Sequence, residues 1–211
     1  ALRRLLAGAD LEAGEAAAEP YLARVAESQL VLDYYRQALR PHWSAGIQVV
    51  SDPPLKGRED NRNGWLVDRL AATLATTQRK ALLISPYFVP GDAGTARFAA
   101  LARRGAEVGI VTNSLAANDV PAVHSGYASY RKPLLEQGVR LYELKARGHT
   151  DTAGLFGSSG ASLHTKAFVV DDARGFVGSF NLDPRSVDLN TEMGVLFEDP
   201  AIAVDLRNEY L

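Results

Sequence analysis

The sequence of 211 residues predicts an α/β fold: a mixed β-sheet flanked by helices on both faces. Two observations support this prediction. Short apolar runs typical of buried strands alternate along the chain with longer segments that carry apolar residues at helical spacing. The run Asp171-Asp172-Ala173-Arg174-Gly175 leaves room only for a tight turn between two strands, and strands joined by a tight turn are antiparallel. The sheet therefore contains both parallel and antiparallel neighbours.

The elements follow from these patterns in chain order. Residues 1–19, rich in Ala, Glu and Gly, predict a frayed helix or a linker, and an apolar stripe predicts a helix over Pro20–Leu39. The predicted strands are Ile47–Val50, Ala81–Ser85, Glu107–Thr112, Val139–Leu144, two segments near 167–171 and 174–178, and Glu192–Phe197. The further predicted helices are Gly64–Arg79, Thr95–Arg104, Val120–Gln137 and Pro200–Leu211.

Two of these helices carry specific signals. Leu66, Leu70 and Leu74 recur at i+4 spacing, which predicts the buried stripe of the first of the four. Pro133 lies inside the third. Because proline has no N–H to donate, it must kink that helix or start a new segment.

The chain is predicted to divide into a helical lead-in or linker over residues 1–45 and an α/β domain over residues 46–211. Within the second part, the polar run Lys56–Asn63 predicts a loop whose charges are solvated, with gating of a phosphate site as the alternative. Residues 145–161 predict a Gly/Ser-rich loop.

Composition limits the possible functions. With 46% hydrophobic and 23% charged residues, the chain resembles ordinary soluble globular proteins. A formal net charge of −2 provides no overall positive field, which disfavours nucleic acid as a partner. The absence of Cys excludes disulfides and thiol chemistry. The apolar run in residues 1–8 is too short for a signal peptide or a membrane span. Because the sequence does not begin with Met, we expect it to be cut from a longer chain.

The strongest functional signal is a set of polar residues at fixed spacing: His164-x-Lys166-x4-Asp171, then Gly178-Ser179-x-Asn181, then Glu192. If residues 163–170 form a strand, His164 and Lys166 point to the same face, about 7 Å apart. An imidazole beside an ammonium suits a phosphate ester, because the nitrogen attacks or protonates while the cation holds the phosphoryl oxygens.

This pattern resembles the HKD signature of the phospholipase D superfamily. Over roughly residues 45–200 the sequence resembles the second half of bacterial cardiolipin synthases of the C type, most clearly in the segments Ser85–Pro90, Thr112–Leu115, Val123–Tyr127 and Asn181–Ser186. The resemblance implies a phospholipase D/nuclease-like fold. It also implies phosphatidyl transfer between phospholipid headgroups through a phosphohistidine intermediate, and a phosphatidylglycerol-like substrate. The protein would be peripheral to the bacterial inner membrane, on its cytoplasmic side.

The resemblance also assigns roles to the residues of the motif. One histidine of the family attacks phosphorus and another acts as general acid and base. For His164 both roles stay open, and its place in a second-half motif favours the acid/base role. Lys166, Asn181 and Ser179 would bind phosphoryl oxygens. Glu192 would accept a hydrogen bond from the imidazole and so fix its tautomer.

Asp171 is expected to be structural: by strand alternation it faces away from Lys166, and it can hold the turn. No metal and no cofactor are predicted, since His42, His124 and His149 are scattered along the chain and the superfamily is metal-independent.

The chain carries one His-Lys-Asn set where the family's centre has two. The second set would come from the other half of a parent chain or from a homodimer mate. Two alternatives stay open: a homodimeric phosphodiesterase acting on nucleic acid, and an inactive half-enzyme fragment.

Candidate substrate-binding residues lie outside the motif. His124, Tyr127 and Arg131 fall at i, i+3 and i+7 on one helical face. The resemblance suggests that this helix borders the lipid or glycerol pocket, and the alternative is a helix packing its aromatic residues on the sheet. Tyr87 follows a predicted strand and lines the cleft or fills the core.

Overall fold

The structure is a computed structural model that describes residues 32, 36, 42–57, 62, 64–118, 120–144 and 163–208. The chain divides into two compact units, residues 1–43 and residues 44–211. The sequence predicts a boundary close to this division, between residues 45 and 46. The predictions for residues 1–19 and 145–161 lie outside the described residues, and only Leu32 and Arg36 of the helix predicted over Pro20–Leu39 are described.

Seven strands of the second unit form one sheet in the order β1-β7-β6-β5-β2-β3-β4. The strands are β1 Ile47–Ser51, β2 Lys80–Ile84, β3 Glu107–Asn113, β4 Arg140–Leu144, β5 Lys166–Val170, β6 Arg174–Gly178 and β7 Met193–Glu198. The pairs β2–β3 and β3–β4 are parallel, and the other four pairs are antiparallel. The predicted mixed sheet is confirmed, and each predicted strand is present to within about two residues at either end.

The described helices of this unit are α1 Leu66–Ala75, α2 Gly91–Arg103, α3 Pro121–Glu136, α4 Pro184–Asp188 and α5 Pro200–Asn208, with a short 3-10 helix at Leu115–Ala117. In α1 the three predicted leucines are buried. Helix α2 begins four residues earlier than predicted, because Gly91 and Gly94 weaken the helical signal of its first turn.

Helices α3 and α4 differ from the prediction. Helix α3 runs through Pro133 to Glu136, which excludes a new segment at Pro133 and leaves the kink as a prediction; the proline lies near the end of the helix, where it removes a single backbone hydrogen bond. Helix α4 was not predicted. It begins after Asp183, whose side chain accepts a hydrogen bond from the N–H of Ser186 at 2.9 Å, and Pro184 occupies its first position.

Both faces of the sheet are packed against helices. On one face, strand residues such as Leu83, Ile110 and Phe168 join side chains of α1, α2 and α3 in the main core. On the other face, Val169 and Phe197 pack against Ala203 of α5. This arrangement confirms the predicted fold class.

The α5 face also carries a continuous apolar row, here called the cross-sheet row. It contains one residue from each strand, each paired in register with the next: Val49, Val195, Val177, Ala167, Ile84, Val111 and Tyr142. Three members are exposed, at 67% for Val49, 47% for Tyr142 and 39% for Val177. The two central members, Ala167 and Ile84, are buried, so the exposed apolar side chains of the row lie on either side of them.

The register also brings the predicted site residues to one end of the sheet. Lys166, the first residue of β5, pairs with Gly178 at the end of β6, and Gly178 pairs with Gly194 near the start of β7. This is the end at which β5 and β7 begin and the other five strands finish. It is called the site end below.

Candidate active site

His164 lies at the site end, exposed and two residues ahead of β5. The prediction that one strand holds both His164 and Lys166 is therefore wrong at its start, because β6 ends at Gly178 and provides no strand partner ahead of Lys166. Lys166 is only 9% exposed, and its Nζ donates a hydrogen bond to the backbone oxygen of His164 at 2.6 Å. The ammonium thus lies next to the histidine and holds its main chain.

Asn113 fixes the segment in front of His164 from the other side. It is the last residue of β3 and is 1% exposed. Its Oδ1 accepts from the N–H of Leu163 at 2.9 Å, and its Nδ2 donates to the oxygen of Leu163 at 3.2 Å. The side-chain amide therefore makes the pair of bonds that a neighbouring strand would make. Sequence reasoning missed this role, although a polar residue ending a buried apolar strand was a usable signal.

Glu192 immediately precedes β7 and is 6% exposed. Its carboxylate accepts hydrogen bonds from Ser179 Oγ at 2.5 Å, from Ser186 Oγ at 2.8 Å and from Asn190 Nδ2 at 3.3 Å. The hydrogen bond from the His164 ring that the sequence predicts is not among the contacts of the described residues. Glu192 is thus held by side-chain donors, and its role toward His164 stays a prediction.

Ser179 and Asn181 flank this carboxylate differently. The Ser179 hydroxyl donates a hydrogen bond to Glu192 and accepts one from the N–H of Met193 at 3.0 Å, so its described bonds lie within the protein. The N–H of Asn181 donates to Ser186 Oγ at 3.2 Å. Asn181 Oδ1 is buried and has no hydrogen-bond partner among the described residues. A buried polar atom left unpaired is costly and is characteristic of sites that bind a ligand.

A buried ion pair supports this cluster. Lys56 Nζ lies 2.6 Å from Asp52 Oδ2, and both side chains are 0% exposed. Asp52 Oδ1 accepts from the N–H of Leu66 at 2.8 Å, and Oδ2 accepts from the N–H of Glu192 at 3.0 Å. The prediction that Lys56 is a solvated loop charge is wrong, because the segment after β1 turns inward onto Glu192 and the start of α1. The i, i+4 spacing of Asp52 and Lys56 was a signal for the pair.

Two aromatic residues after β2 and on α3 were candidates for the substrate pocket. Tyr127 is 2% exposed, and its ring lies 5.8 Å from that of Phe88 in the main core. Burial, and then the neighbouring Glu143, raise the pKa of Tyr127 to about 12, so the hydroxyl is neutral at physiological pH and donates to Glu143 Oε1 at 3.2 Å. This agrees with the packing alternative for Tyr127. Tyr87 is half-buried, and a substrate role for it stays a prediction.

His124 lies edge-on to Tyr127, with ring centroids 5.6 Å apart. Its Nδ1 is buried without a hydrogen-bond partner among the described residues. Arg131, on the same helix, forms an ion pair of 3.1 Å with Glu143. Among the described residues His124 Nδ1 is thus unpaired, while the Arg131 guanidinium is paired with a carboxylate of the protein. A substrate role for His124 stays a prediction.

Asp171 lies at the opposite end of β5. Its carboxylate accepts hydrogen bonds from the N–H groups of Gln78, Arg79 and Lys80 at 2.8 to 2.9 Å. Burial alone would raise the pKa of Asp171, but these backbone donors and the charge of Arg79 hold the pKa below its ordinary value. The residue adopts φ 53°, which Asp tolerates better than most residues. Its contacts hold the β5–β6 turn against the start of β2.

Metal sites and membrane spans are the other classes of feature to consider. In the described part of the chain, no group of three or more His, Asp or Glu side chains is placed to hold a metal ion. The described helices also include none with the length and apolarity needed to cross a bilayer.

Comparison with known proteins identifies the family. Residues 70–210 match the family described as "Cardiolipin synthase, PLD-like domain". The chain belongs to this family of phospholipase D-like domains. It is 44% identical over 188 residues to cardiolipin synthase C of Escherichia coli strain K12, which covers 87% of this chain and 40% of that protein. It is 33% identical over 160 residues to cardiolipin synthase A of Serratia proteamaculans, covering 76% of this chain and 29% of that protein.

Solved structures agree in fold. The phospholipase D family member Nuc of Salmonella typhimurium matches with a TM-score of 0.57 and 18% identity, over 77% of this chain and 90% of Nuc. Phosphatidylserine synthase of Haemophilus influenzae matches with a TM-score of 0.51 and 19% identity, over 77% of this chain and 38% of that chain. The chain spans less than half the length of the two cardiolipin synthases.

Proposed function

We propose that this chain supplies one of two half-sites of an enzyme that transfers a phosphatidyl group between phospholipid headgroups. The observation that carries the proposal is the location of His164, Lys166, Asn181 and Glu192 at one end of the sheet, with His164 exposed. Membership of the cardiolipin synthase family supports phospholipid as the substrate class. A phosphatidylglycerol-like lipid is the expected donor.

The proposed reaction has two displacements at phosphorus. In the first, an imidazole nitrogen forms a bond to phosphorus while the bond to the headgroup oxygen breaks, and a second histidine gives that oxygen a proton. In the second, this histidine takes the proton of an incoming alcohol, whose oxygen attacks phosphorus and releases the first imidazole. Cations and amide donors such as Lys166 and Asn181 stabilise the charge on the phosphoryl oxygens during both displacements.

We assign His164 the acid/base role. Its exposed position next to Lys166 leaves it accessible to a leaving or entering oxygen. Glu192 would fix the imidazole in the transition state, when the ring becomes charged. The nucleophile would then be the histidine of the other half.

We propose that the other half packs on the cross-sheet row. The row crosses all seven strands beside the site end, and Val49, Val177 and Tyr142 in it are exposed. A partner packed there would lie beside the site end, the end of the sheet that carries His164. Either the remaining part of a longer chain or a second copy would satisfy this geometry.

The test uses the natural full-length protein that contains this chain and, in parallel, the 211-residue chain alone. Each is incubated with phosphatidylglycerol vesicles and, separately, with supercoiled plasmid DNA. We expect the full-length protein to form cardiolipin and to leave the plasmid intact. Nicked plasmid without lipid turnover would overturn the proposal in favour of a phosphodiesterase acting on nucleic acid. A chain that is inactive alone but active after addition of the other half would support two half-sites.

We also propose that the protein meets its substrate peripherally, at the cytoplasmic surface of a bacterial inner membrane. Flotation of the full-length protein with anionic vesicles tests this placement. Recovery of the protein in the vesicle fraction, and its release by high salt, is the expected result. Release would fail if the protein were inserted in the bilayer.

A further inference from the structure

Lys56 is a buried ammonium that the proposed reaction does not use. Its Nζ donates to Asp52 Oδ2 at 2.6 Å and to the backbone oxygen of Ser186 at 2.7 Å. The rings of Trp65 and Phe180 lie 5.2 and 5.8 Å from the same nitrogen. A buried ion pair adds little net stability, because removing two charges from water costs about as much as their attraction returns. Stability alone therefore does not account for a lysine at this position.

The acceptor of one Lys56 bond, Ser186, connects two residues of the candidate site. Ser186 is 0% exposed. Its Oγ donates to Glu192 Oε1 at 2.8 Å and accepts from the N–H of Asn181 at 3.2 Å. One hydroxyl thus sets the separation between the Glu192 carboxylate and the Asn181 main chain. The lysine holds the backbone of the residue that carries this hydroxyl.

The acceptor of the other Lys56 bond, Asp52, holds Glu192 from the opposite side. The N–H of Asp52 donates to the oxygen of Glu192 at 2.8 Å, and the N–H of Glu192 donates to Asp52 Oδ2 at 3.0 Å. The main chain of Glu192 is therefore bound to Asp52 twice. Lys56 bonds to both anchors of Glu192, the residue behind its main chain and the residue on its carboxylate.

We propose that Lys56 is a positioning residue for the phosphoryl-transfer site: its buried ammonium fixes Glu192 and Asn181 relative to each other through Asp52 and Ser186. The inference rests on the proposed function, in which both residues serve the reaction. Without the ammonium, the oxygen of Ser186 and one bond of Asp52 lose their donor. The start of α4 would then shift against Glu192, and so would the hydroxyl between Glu192 and Asn181.

A double-mutant cycle in the natural full-length protein tests the inference. Lys56→Met removes the charge but keeps an unbranched side chain, and Asp52 keeps its two backbone donors from Leu66 and Glu192. We measure kcat and KM for phosphatidylglycerol in the wild-type and Glu192→Gln backgrounds. Lys56→Met should lower kcat about tenfold or more in the wild type, and less than about twofold when Glu192 is already replaced, because residues acting as a unit are not additive. KM should change much less than kcat.

The controls separate positioning from general loss of structure. Lys132→Met removes a lysine whose side chain is 84% exposed and should leave kcat unchanged. If Lys56→Met fails to fold, the combined Asp52→Asn and Lys56→Met variant removes both charges and takes its place in the cycle. Circular dichroism and thermal unfolding check each variant.

Equal losses from Lys56→Met in both backgrounds would overturn the positioning role, and so would an unchanged kcat in the wild type. If Glu192→Gln itself kept full turnover, the proposed role of Glu192 would fail first, and the inference that rests on it would fail with it. The inference is supported if Lys56→Met lowers kcat in the wild type and this loss largely disappears in the Glu192→Gln background.

Discussion

The two ends of β5 hold their polar side chains in different ways. At the far end, the Asp171 carboxylate is bound by N–H groups of three consecutive residues. At the site end, Lys166 donates to the backbone oxygen of the exposed His164, and Asn113 bonds to the N–H and the oxygen of Leu163. One end of the strand is thus fixed to the backbone of its neighbour, while the other is held by side chains and leaves an imidazole accessible.

The difference shows which polar residues the fold needs and which a reaction can use. The three N–H groups that bind Asp171 belong to the segment that leads into β2, so this carboxylate joins the β5–β6 turn to the sheet. Side-chain donors, by contrast, are present only where the sequence places a suitable residue. Glu192 accepts hydrogen bonds from Ser179, Ser186 and Asn190, and near it Asn181 Oδ1 is unpaired among the described residues. We therefore expect substitutions at the site end to lower activity, and substitutions at Asp171 to lower stability.

The largest effect should come from His164→Ala. In the full-length protein we expect turnover of phosphatidylglycerol to fall by at least ~10³-fold, because the proposed acid/base group is lost. The unfolding temperature should stay the same, since the ring is exposed. If the variant kept most of its activity, His164 would have no role in the mechanism, and the site end of β5 would not be the end that serves activity.

Lys166→Met should have the next largest effect, a fall in kcat of about 10²-fold, since a charge that stabilises the phosphoryl oxygens is worth several kcal/mol in a site shielded from water. Steady-state kinetics at several lipid concentrations checks this value. Lys80→Met is the matched control, because Lys80 forms only a partly exposed ion pair of 3.6 Å with Glu107 on β3. Equal losses from the two variants would contradict a direct role for Lys166.

Asn113→Ala should lower kcat about tenfold by releasing the two bonds that hold Leu163 in front of His164. It should also lower stability by about 1–3 kcal/mol, because buried peptide groups lose their partners. Asn113→Asp sharpens the test. It keeps the acceptor for the N–H of Leu163 but loses the donor, so its activity should lie between those of the wild type and Asn113→Ala. Urea unfolding and kinetics on the same samples separate both effects.

Asp171→Asn should have the smallest effect on activity and a modest one on stability, a loss of about 1 kcal/mol at neutral pH. The sign follows from the lowered pKa of Asp171. The ionised carboxylate stabilises the fold fully above its ordinary pKa, near pH 4, and this contribution disappears as the pH falls through the lower folded-state pKa. Urea unfolding between pH 7 and pH 2.5 should show the difference from wild type shrinking below pH 4. If the difference in unfolding free energy between wild type and Asp171→Asn did not depend on pH, the loss of stability would come from packing and not from the charge.

Much of the fold was predictable because its signals are local. Strand β5 is a run of five buried residues, and the antiparallel pairing of β5 with β6 follows from the short turn at Asp171. The stripe of Leu66, Leu70 and Leu74 predicted the buried face of α1. Helix α4 was missed because its five residues are too few for a periodic pattern, although Asp183 and Pro184 carried the start signal.

The composition of the candidate site was predictable only in part. The spacing of His164, Lys166, Asn181 and Glu192 indicated a phosphoryl-transfer set. The spacing does not predict the hydrogen-bond partners of these side chains. Asn113 and Lys56 are far from the motif in sequence and reach it only through the fold, since β3 lies two strands from β5 and the segment after β1 turns onto Glu192. A lysine at the start of a polar run such as Lys56–Asn63 looks solvated until its partner is known.

The cross-sheet row has a practical consequence for work with these 211 residues. Seven strands each contribute an apolar side chain to one line, and a preparation of this chain alone presents the exposed members of that line to water. Molecules of this chain should self-associate as the protein concentration rises and dissociate in mild detergent. Polar residues at Val49 and Tyr142 would then yield a sample better suited to spectroscopy, but they would remove the surface on which the proposed other half packs.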